Sequence, residues 1–137
     1  MVVHLQGCVA AILAFTLPFA PNAAYSKNLT GDIVVLRALD KVTARTKDLN
    51  IPIDETVKFG SLEITPRKCT KRPPEEPPET TAFLEITEVN EGEEPIRLFN
   101  GWMFASSPAV NALEHPVYDV WVIDCKIPSP SKDDGKE

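Results

Sequence analysis

IRLFNGWMFASSPAVNALEHPVYDVWVIDC, residues 96–125, contains both tryptophans and the last cysteine of this 137-residue chain. Within it, VYDVWVI at 117–123 places apolar side chains at odd and even positions alike. Such a pattern is typical of a strand covered on both faces, because successive side chains of a strand point to opposite sides. The sequence therefore predicts a central strand here, with Trp121 in the core and the other elements packed around it.

The same segment contains a dipeptide that favours a chain reversal. Asn100-Gly101 is the kind of pair most favoured in two-residue hairpin turns, and it lies between two apolar tetrapeptides, IRLF and WMFA. Flanks of this length fit a bulge inside one strand equally well. The sequence leaves both interpretations open.

A short helix is predicted before the final strand. Two serines, Ser106 and Ser107, stand before Pro108, an arrangement that suits a helix cap followed by the first helical position. The helix is expected to run to Glu114 and to stop at His115, because a residue that precedes proline is disfavoured in helical geometry.

Upstream, the pattern of apolar residues predicts further strands. Residues 33–39 are rich in β-branched side chains, and 45–51 follow a polar reversal. The second of these strands is expected at a sheet edge, because it is highly charged and ends at Pro52, which has no N–H to donate. A strand is also predicted over 82–89, followed by a turn at 90–94.

The strand predicted over 57–68 requires an irregularity. Leu62 and Ile64 alternate with polar residues, so strict alternation would place Cys69 on the opposite face. We expect a bulge at Pro66 that resets the alternation, because proline inside a sheet is largely confined to edges and bulges.

The clearest loop is RKCTKRPPEEPPETT at 67–81, in which basic residues precede two Pro-Pro pairs. This composition favours an extended polyproline conformation. The loop suits either a projecting recognition segment or a stiff, solvated connection. Its candidate binding residues are Arg67, Lys71, Arg72, Glu75 and Glu76.

The 13 prolines and the regular spacing of strands and turns predict an all-β fold. We expect a small antiparallel sandwich or a partly open barrel of six to seven strands with one short helix. The length indicates a single domain, placed at 29–127 and followed by a disordered polar tail at 128–137.

The N-terminal region has the features of an export signal. Residues 8–20 form an apolar run of signal-peptide length, too short to cross a bilayer, and small residues follow. We predict a signal peptide at 1–24 and no stable membrane anchor after its removal.

Removal of that segment leaves two cysteines, Cys69 and Cys125. In an oxidising compartment they are expected to form a disulfide, which stabilises a loop of this length by about 4 kcal/mol on the chain-entropy estimate. The alternative is two buried free thiols.

Charge and composition limit the possible ligands. The formal net charge is −6 and the pI is near 4.9, whereas binding to nucleic acid or to an anionic membrane needs a basic surface. No His, Cys or carboxylate pair has metal-ligand spacing, so the sequence predicts no metal and no cofactor.

One set of residues resembles a catalytic triad. Ser106 or Ser107 with His115 and Asp119 would be the components of a serine hydrolase, but no glycine-flanked nucleophile elbow surrounds the serines. Capping and termination of the predicted helix account for the serines and the histidine. The sequence therefore predicts no catalytic residue and a protein that is not an enzyme.

Three further side chains are candidates for binding: Trp102, His115 and Tyr118. Trp102 could stack on a sugar or a peptide, although burial in the core is the favoured interpretation for so large a ring. With Phe104 and Tyr118 it is expected to form an aromatic cluster beside the His115-Pro116 corner.

Several segments of the sequence resemble one protein family. GWMFASSP at 101–108, ALEHPVYDVW at 112–121 and KRPPEEPP at 71–78 are similar to domain-of-unknown-function family 2155, exported proteins of alphaproteobacteria. The resemblance covers roughly 33–126. It implies a small β-rich domain in the periplasm, and Ala44 stands where the family's glycine is expected in the first reversal.

These features predict a non-catalytic module of the cell envelope that interacts with another periplasmic protein or with a cell-wall polymer. A proline-rich loop that is already extended loses little conformational entropy on binding, which favours this hypothesis. A carbohydrate- or cell-wall-binding domain that uses Trp102 is the first alternative, and a serine hydrolase is the second.

Overall fold

The computed structural model of the protein describes residues 27–129, whose strands form two antiparallel sheets. The predicted signal peptide at 1–24 and residues 130–137 of the predicted tail lie outside this range. The strands are β1 (Leu29–Gly31), β2 (Ile33–Asp40), β3 (Arg45–Pro52), β4 (Val57–Phe59), β5 (Leu62–Lys71), β6 (Thr80–Glu88), β7 (Ile96–Phe104) and β8 (Tyr118–Lys126). The all-β prediction is confirmed, whereas the described range contains eight strands and not six to seven.

The architecture is a sandwich of two sheets and not a closed barrel. The larger sheet has the order β1-β5-β6-β7, with β4 also paired to β5, and the smaller sheet has the order β3-β2-β8. Both sheets therefore have edge strands. The prediction that β3 is an edge strand is confirmed, since it pairs only with β2.

The core lies between the sheets and follows from strand alternation. Every second residue of β2 and of β6 is buried, as expected when one face of each sheet is covered. Both sheets contribute fully buried aliphatic side chains, among them Val34, Leu36, Ile51, Leu62, Ile64, Leu84, Ile86 and Val122. Each such burial contributes about 1.5–3 kcal/mol relative to exposure, so these alternating positions hold the two sheets together.

A disulfide links the two sheets, as predicted. Cys69 of β5 and Cys125 of β8 are bonded, with their Cα atoms 5.9 Å apart, and both side chains are buried. Gly31 of β1 lies against this bridge: a Cβ there would overlap the Cys125 sulfur and lie 2.9 Å from the Cys69 sulfur. Only glycine fits at this position of the strand, because another chain segment approaches so closely.

The bulge predicted at Pro66 is confirmed. The register between β5 and β6 shifts between Pro66 and Lys68, which leaves Arg67 as the extra residue. The shift turns Cys69 towards the core, where the second cysteine meets it.

The loop predicted over 67–81 is shorter than expected. β5 continues to Lys71 and β6 begins at Thr80, so the connection is 72–79. β5 pairs with β1 on one side and β6 on the other in this region, and these two neighbours hold the basic residues in an extended strand.

The single strand predicted over 57–68 is wrong. Gly60 and Ser61 form a tight turn between β4 and β5, and Phe59 pairs with Leu62 across it. Gly60 has a φ of +58°, a left-handed conformation that glycine adopts without steric cost.

Neither interpretation of Asn100-Gly101 is correct. Both residues lie inside β7, in regular register with Glu85 and Leu84 of β6. The register of β6 and β7 shifts at Leu98 instead. Pairing along the whole of β6 holds the dipeptide extended and overrides its preference for a turn.

The helix predicted over 108–114 is only a 3-10 turn at Pro108–Val110. The Ser107 side chain makes no capping hydrogen bond, whereas the Asn111 side chain donates to the Trp102 carbonyl oxygen of β7 at 2.8 Å. A helix this short has little stability of its own, so its contacts with β7 decide the conformation.

The reversal between β2 and β3 is stabilised by Asp40. Its carboxylate accepts hydrogen bonds from the N–H groups of Val42 and Thr43, at 2.9 and 3.2 Å. Ala44 completes the reversal with a φ of +54°, a conformation that costs a residue with a Cβ about 1–2 kcal/mol. This is the position at which the family resemblance led us to expect glycine.

Candidate functional site

Two cations of the predicted binding loop are held within the sheets. Arg67 lies in the bulge of β5, and its guanidinium donates to Asp54 and to Glu85, each at 3.0 Å. Lys71 lies at the end of β5 and donates to Asp124 of β8 at 2.7 Å. Neither side chain belongs to a projecting loop.

The connection itself is tied at both ends. The Arg72 N–H donates to the Glu79 carbonyl oxygen at 3.0 Å, and the Glu76 N–H donates to that of Pro73 at 3.1 Å. The Arg72 and Glu76 side chains approach each other at 4.0 Å, and Glu75 is exposed. A hydrogen-bonded turn therefore replaces part of the extended polyproline segment that the composition predicts.

Trp102 lies on the outer face of the larger sheet. It is 37% exposed, which overturns the expectation that it belongs to the core. Its ring meets that of Phe83 on β6 edge to face, with centroids 5.4 Å apart and an interplanar angle of 81°. Alternation along β7 decides this placement, because the neighbouring Met103 takes the buried position.

His115 and Tyr118 form a packed corner against the end of β6. His115 Nδ1 accepts from the N–H groups of Val117 and Tyr118, each at 3.1 Å, so the ring proton lies on Nε2 and is donated to Glu88 at 3.0 Å. That hydrogen bond holds the pKa of the Glu88 carboxyl below its usual value. The His115 side chain is only 6% exposed, and its ring stacks on Tyr118. The corner is therefore part of the packed structure.

The aromatic cluster predicted around Trp102 and Tyr118 is divided between two ends of the sandwich. Trp102 lies opposite Phe83, near the start of β6, whereas the Tyr118 corner contacts Glu88 at its end. Five residues of extended strand correspond to about 17 Å. Closeness in sequence did not bring these rings together.

The serine, histidine and aspartate residues of the hydrolase hypothesis have separate partners. The Ser106 hydroxyl donates to Glu79, and Asp119 pairs with Lys41 at 3.2 Å. Both ring nitrogens of His115 are engaged as described above. Within residues 27–129, no hydrogen bond connects these three components.

The open edge of β8 is the feature that sequence reasoning missed. β8 pairs with β2 alone, so its other side has no strand neighbour within the described range. Val120 and Val122 point into the core, whereas Trp121 is half-buried on the outer face. The expectations of cover on both faces and of Trp121 in the core are therefore wrong, since no third layer covers this sheet within residues 27–129.

An apolar depression of about 320 Å³ lies beside this edge. It is bounded by β8 and by the segment that crosses from β7, and its lining residues are Pro108, Ala109, Ala112, Leu113, Asp119, Val120 and Trp121. Three consecutive β8 residues, 119–121, contribute to it although their side chains alternate in direction. The depression therefore runs along the edge of the strand and not over one face.

A second depression, of about 440 Å³, lies further along β8 at the foot of the proline loop. Lys71, Pro78, Ser106 and Asp124 are among its lining residues, and Ile123, the extra residue of a bulge in β8, is exposed there. The edge thus has a depression at each end, and charged side chains border the second one.

Ion pairs mark both ends of this edge. Asp119 pairs with Lys41, whose ammonium also donates to the His115 carbonyl oxygen, and Asp124 pairs with Lys71. Burial alone would raise the pKa of Asp124, but hydrogen bonds from Lys71 and from the Cys125 N–H hold it below its usual value. Both carboxylates are therefore already partnered.

Residues 27–129 contain neither a metal-binding group of side chains nor a membrane-spanning helix. No group of three or more His, Cys, Asp or Glu side chains is arranged to hold a metal ion. Within the same range, no helix has both the length and the apolar character needed to cross a bilayer.

These features define a disulfide-linked β-sandwich in which β8 has an open edge, and comparison with known proteins gives its family. The profile of the family described as an uncharacterized protein conserved in bacteria (DUF2155) matches residues 34–125, and the chain belongs to this family. An uncharacterised protein of Rickettsia prowazekii (strain Madrid E) is 33% identical over 103 residues, which are 75% of this chain and 65% of that protein. The chain thus spans less than two thirds of this relative's length. No solved structure matches the chain.

Proposed function

We propose that this protein is a non-catalytic interaction module of the periplasm that binds an extended segment of a partner protein along the open edge of β8. The observation that carries the proposal is that edge. Its backbone groups are unpaired, and one depression lies beside each end of it. Addition of a strand to a sheet edge is a recurring mode of peptide recognition.

The shape of the edge suits a strand as ligand. An added strand would satisfy the free N–H and C=O groups of β8, because these groups point sideways in the plane of the sheet. Its side chains would alternate in direction, so that every second one reaches the depression beside Trp121 and Leu113. We expect an apolar side chain there, since Ala109, Ala112 and Val120 also line it.

Two observations support a periplasmic location. The cysteines form a buried bridge between the sheets, and such bridges form and persist in oxidising compartments. The apolar run at 8–20 is the predicted export signal. A fusion of alkaline phosphatase to the C-terminus is expected to be active in cells, whereas a β-galactosidase fusion is expected to be inactive. The reverse pattern would contradict the proposed location.

The partner and its mode of binding can be tested in two steps. First, a photo-crosslinking residue at Ala112, beside the edge, is compared in living cells with the same residue at Val42, which is 77% exposed in the β2–β3 reversal. Mass spectrometry then identifies the crosslinked segment. We expect a specific adduct from position 112 only.

Second, the identified segment is synthesised and titrated into the isotope-labelled protein. We expect NMR shifts of the amides at 118–122 and none in β3, with binding abolished by Ala109→Trp, which fills the depression. Equal adducts from positions 112 and 42, or shifts confined to another surface, would show that the proposal is wrong.

The exposure of Trp102 supports a second candidate, binding of a carbohydrate or a cell-wall polymer. Its Phe83 partner lies on the same face but is nearly perpendicular, so the two rings do not form the coplanar platform on which sugars stack. Titration of cell-wall glycan, followed by tryptophan fluorescence, separates the two candidates. A saturable change that Trp102→Phe abolishes would favour the carbohydrate hypothesis.

A further inference from the structure

One end of the sandwich forms a cleft of about 410 Å³, a volume within the range of small-molecule sites. It lies between the β2–β3 reversal and the β4–β5 turn, on the side opposite the proline loop. The residues that line it are Asp40, Thr43, Arg45, Thr46, Lys47, Phe59, Gly60 and Tyr118. This cleft is separate from the edge of β8 to which the proposed function refers.

Strand register places two cations on the inner face of the smaller sheet. In β3, Leu49 and Ile51 point into the core, and alternation puts Lys47 and Arg45 on the same face. Both positions precede Leu49, the first buried residue of β3, and so lie outside the core. The guanidinium and ammonium groups therefore line the mouth of the sandwich.

Aromatic rings form the apolar wall of the cleft. Phe59 and Tyr118 meet edge to face, with centroids 5.5 Å apart. The Tyr118 hydroxyl lies over Gly60, where a Cβ would overlap it. A flat apolar group could pack against these rings with its polar end towards β3.

The charge of the cleft favours an anion. Neither Arg45 nor Lys47 forms an ion pair with any residue of 27–129. Asp40 is the one carboxylate in the lining; N–H groups of its own reversal hold it, and the charge of Arg45, its cross-strand neighbour, adds to the lowering of its pKa. Two cations and one anion leave a net charge of about +1 in a chain whose formal net charge is −6.

We propose that this cleft binds a small carboxylate-bearing ligand with a flat apolar or sugar-ring body. Arg45 and Lys47 contact the carboxylate, and Phe59 and Tyr118 contact the body. A single carboxylate matches the net charge of the cleft better than a doubly charged phosphate does. A guanidinium also binds a carboxylate through two parallel hydrogen bonds.

Inward-pointing charges on an edge strand also have a simpler explanation, since they discourage pairing with another chain. That role needs the charges but not the aromatic wall or the cleft. It predicts no saturable binding of a small anion, so a titration distinguishes the two roles.

The test uses the purified protein with its disulfide intact, labelled with nitrogen-15 and titrated with four probes. Benzoate is compared with the neutral benzamide, and N-acetylmuramic acid with the neutral N-acetylglucosamine. We expect saturable shifts of the Phe59, Gly60 and Tyr118 amides with at least one of the two acids and not with its neutral counterpart. Which acid binds tells whether the ligand body is aromatic or a sugar.

Variants connect the binding to the two cations. Arg45→Gln/Lys47→Gln is expected to weaken the binding of that acid about tenfold or more, because two charge-assisted contacts are lost. The control is Lys68→Gln, an exposed cation on the outer face of the larger sheet, which should leave the affinity unchanged. Binding of neither acid, equal binding of acid and neutral probe, or unchanged affinity in the double variant would each overturn the proposal.

Discussion

The two edges of the three-stranded sheet differ in their protection against pairing with another strand. β3, at one edge, has exposed charges at Arg45, Lys47 and Asp48 and ends at Pro52. β8, at the other edge, carries its charges and its bulge towards the ends of the strand, whereas 120–122 has no charge and no proline and the half-buried Trp121 borders an apolar depression. Charges and proline are common protections of edge strands in natural sheets. The middle of β8 therefore lacks the charges and the proline that protect β3.

The two strands also differ in how they are attached to the rest of the molecule. β3 is joined to its only neighbour by the backbone ladder and by the Arg37–Asp48 ion pair, in which both side chains are exposed. β8 is joined to β2 and, through Cys125, covalently to the larger sheet. Such attachment would suit the binding proposed above, because the covalent bridge then holds β8 in place on the side away from the partner.

The largest expected effect comes from removing the covalent attachment of β8. The bridge closes a segment with a sequence separation of 56 residues, so Cys69→Ala/Cys125→Ala is expected to lower the free energy of unfolding by about 4 kcal/mol. Urea denaturation measures the loss. Reductant should destabilise the wild type by a similar amount and leave the double variant unaffected; a loss under 1 kcal/mol would contradict the role of the bridge.

The second effect tests whether the bridge also excludes a larger residue at Gly31. Gly31→Ala places a methyl group against both sulfur atoms, and overpacking of this kind costs about 1–3 kcal/mol. The exposed neighbour Thr30→Ala is the control. In the background without the two cysteines the cost should fall only in part, because the sulfur atoms are gone whereas the Lys126 carbonyl oxygen, 2.5 Å from that Cβ, remains. An equal cost in both backgrounds would assign it to this carbonyl oxygen of β8 and not to the bridge.

The third effect reverses the difference between the edges. Ile123→Lys adds a charge to β8 and is expected to weaken binding of the crosslinked segment about tenfold, or about 1.4 kcal/mol. Lys47→Val removes a charge from β3 and is expected to promote self-association, measured by light scattering against concentration. If Ile123→Lys binds the segment as tightly as the wild type and Lys47→Val stays monomeric, the charges do not account for the difference between the two edges.

A smaller effect is expected in the reversal that leads into β3. Ala44 is held at a φ of +54°, so Ala44→Gly should raise the free energy of unfolding by about 0.5–1 kcal/mol after the entropy of the more flexible unfolded chain is subtracted. Val42→Ala, at an exposed position of the same reversal, should change it little. Destabilisation by glycine would show that Ala44 is not strained.

The smallest effect is the response of the two edges to acid. The Arg37 hydrogen bond lowers the pKa of Asp48 on β3, and hydrogen bonds from Lys71 and the Cys125 N–H outweigh burial to lower that of Asp124 on β8. Because both folded pKa values lie below the unfolded value of 3.8, the stabilisation is complete above pH 3.8 and is lost as the pH falls through the folded values.

Carboxyl NMR titrations at low and high salt check this prediction. High salt should return the pKa of Asp48 towards its usual value and affect that of Asp124 less, because screening weakens both of these similarly exposed ion pairs but not the hydrogen bond from the Cys125 N–H to Asp124. Identical salt responses would show that the two edges do not differ electrostatically.

Local signals in the sequence predicted several elements correctly. The charges and Pro52 mark β3 as an edge, Pro66 marks the bulge that turns Cys69 inward, and the alternation of apolar residues defines the all-β class. Each of these depends on the chemistry of a few neighbouring residues: a proline has no N–H in any fold, and alternation is a property of every strand.

The open edge and its depression could not be predicted in the same way. The pattern around Trp121 was interpreted as a strand with two covered faces, and 108–114 as a short helix. The strand with which β8 pairs could not be identified from the sequence, because β2 lies some eighty residues earlier in the chain.

The all-β class, the protected edge at β3 and the pairing of Cys69 with Cys125 could thus be predicted from the residues alone. The covered face of β8, the exposure of Trp102 and the cleft that Arg45 and Lys47 line with Tyr118 depend on how the two sheets pack. Alternation and the missing N–H of proline are properties of a few neighbouring residues. Burial, in contrast, depends on which distant strands pack together, and the same apolar pattern is compatible with a covered or an open face.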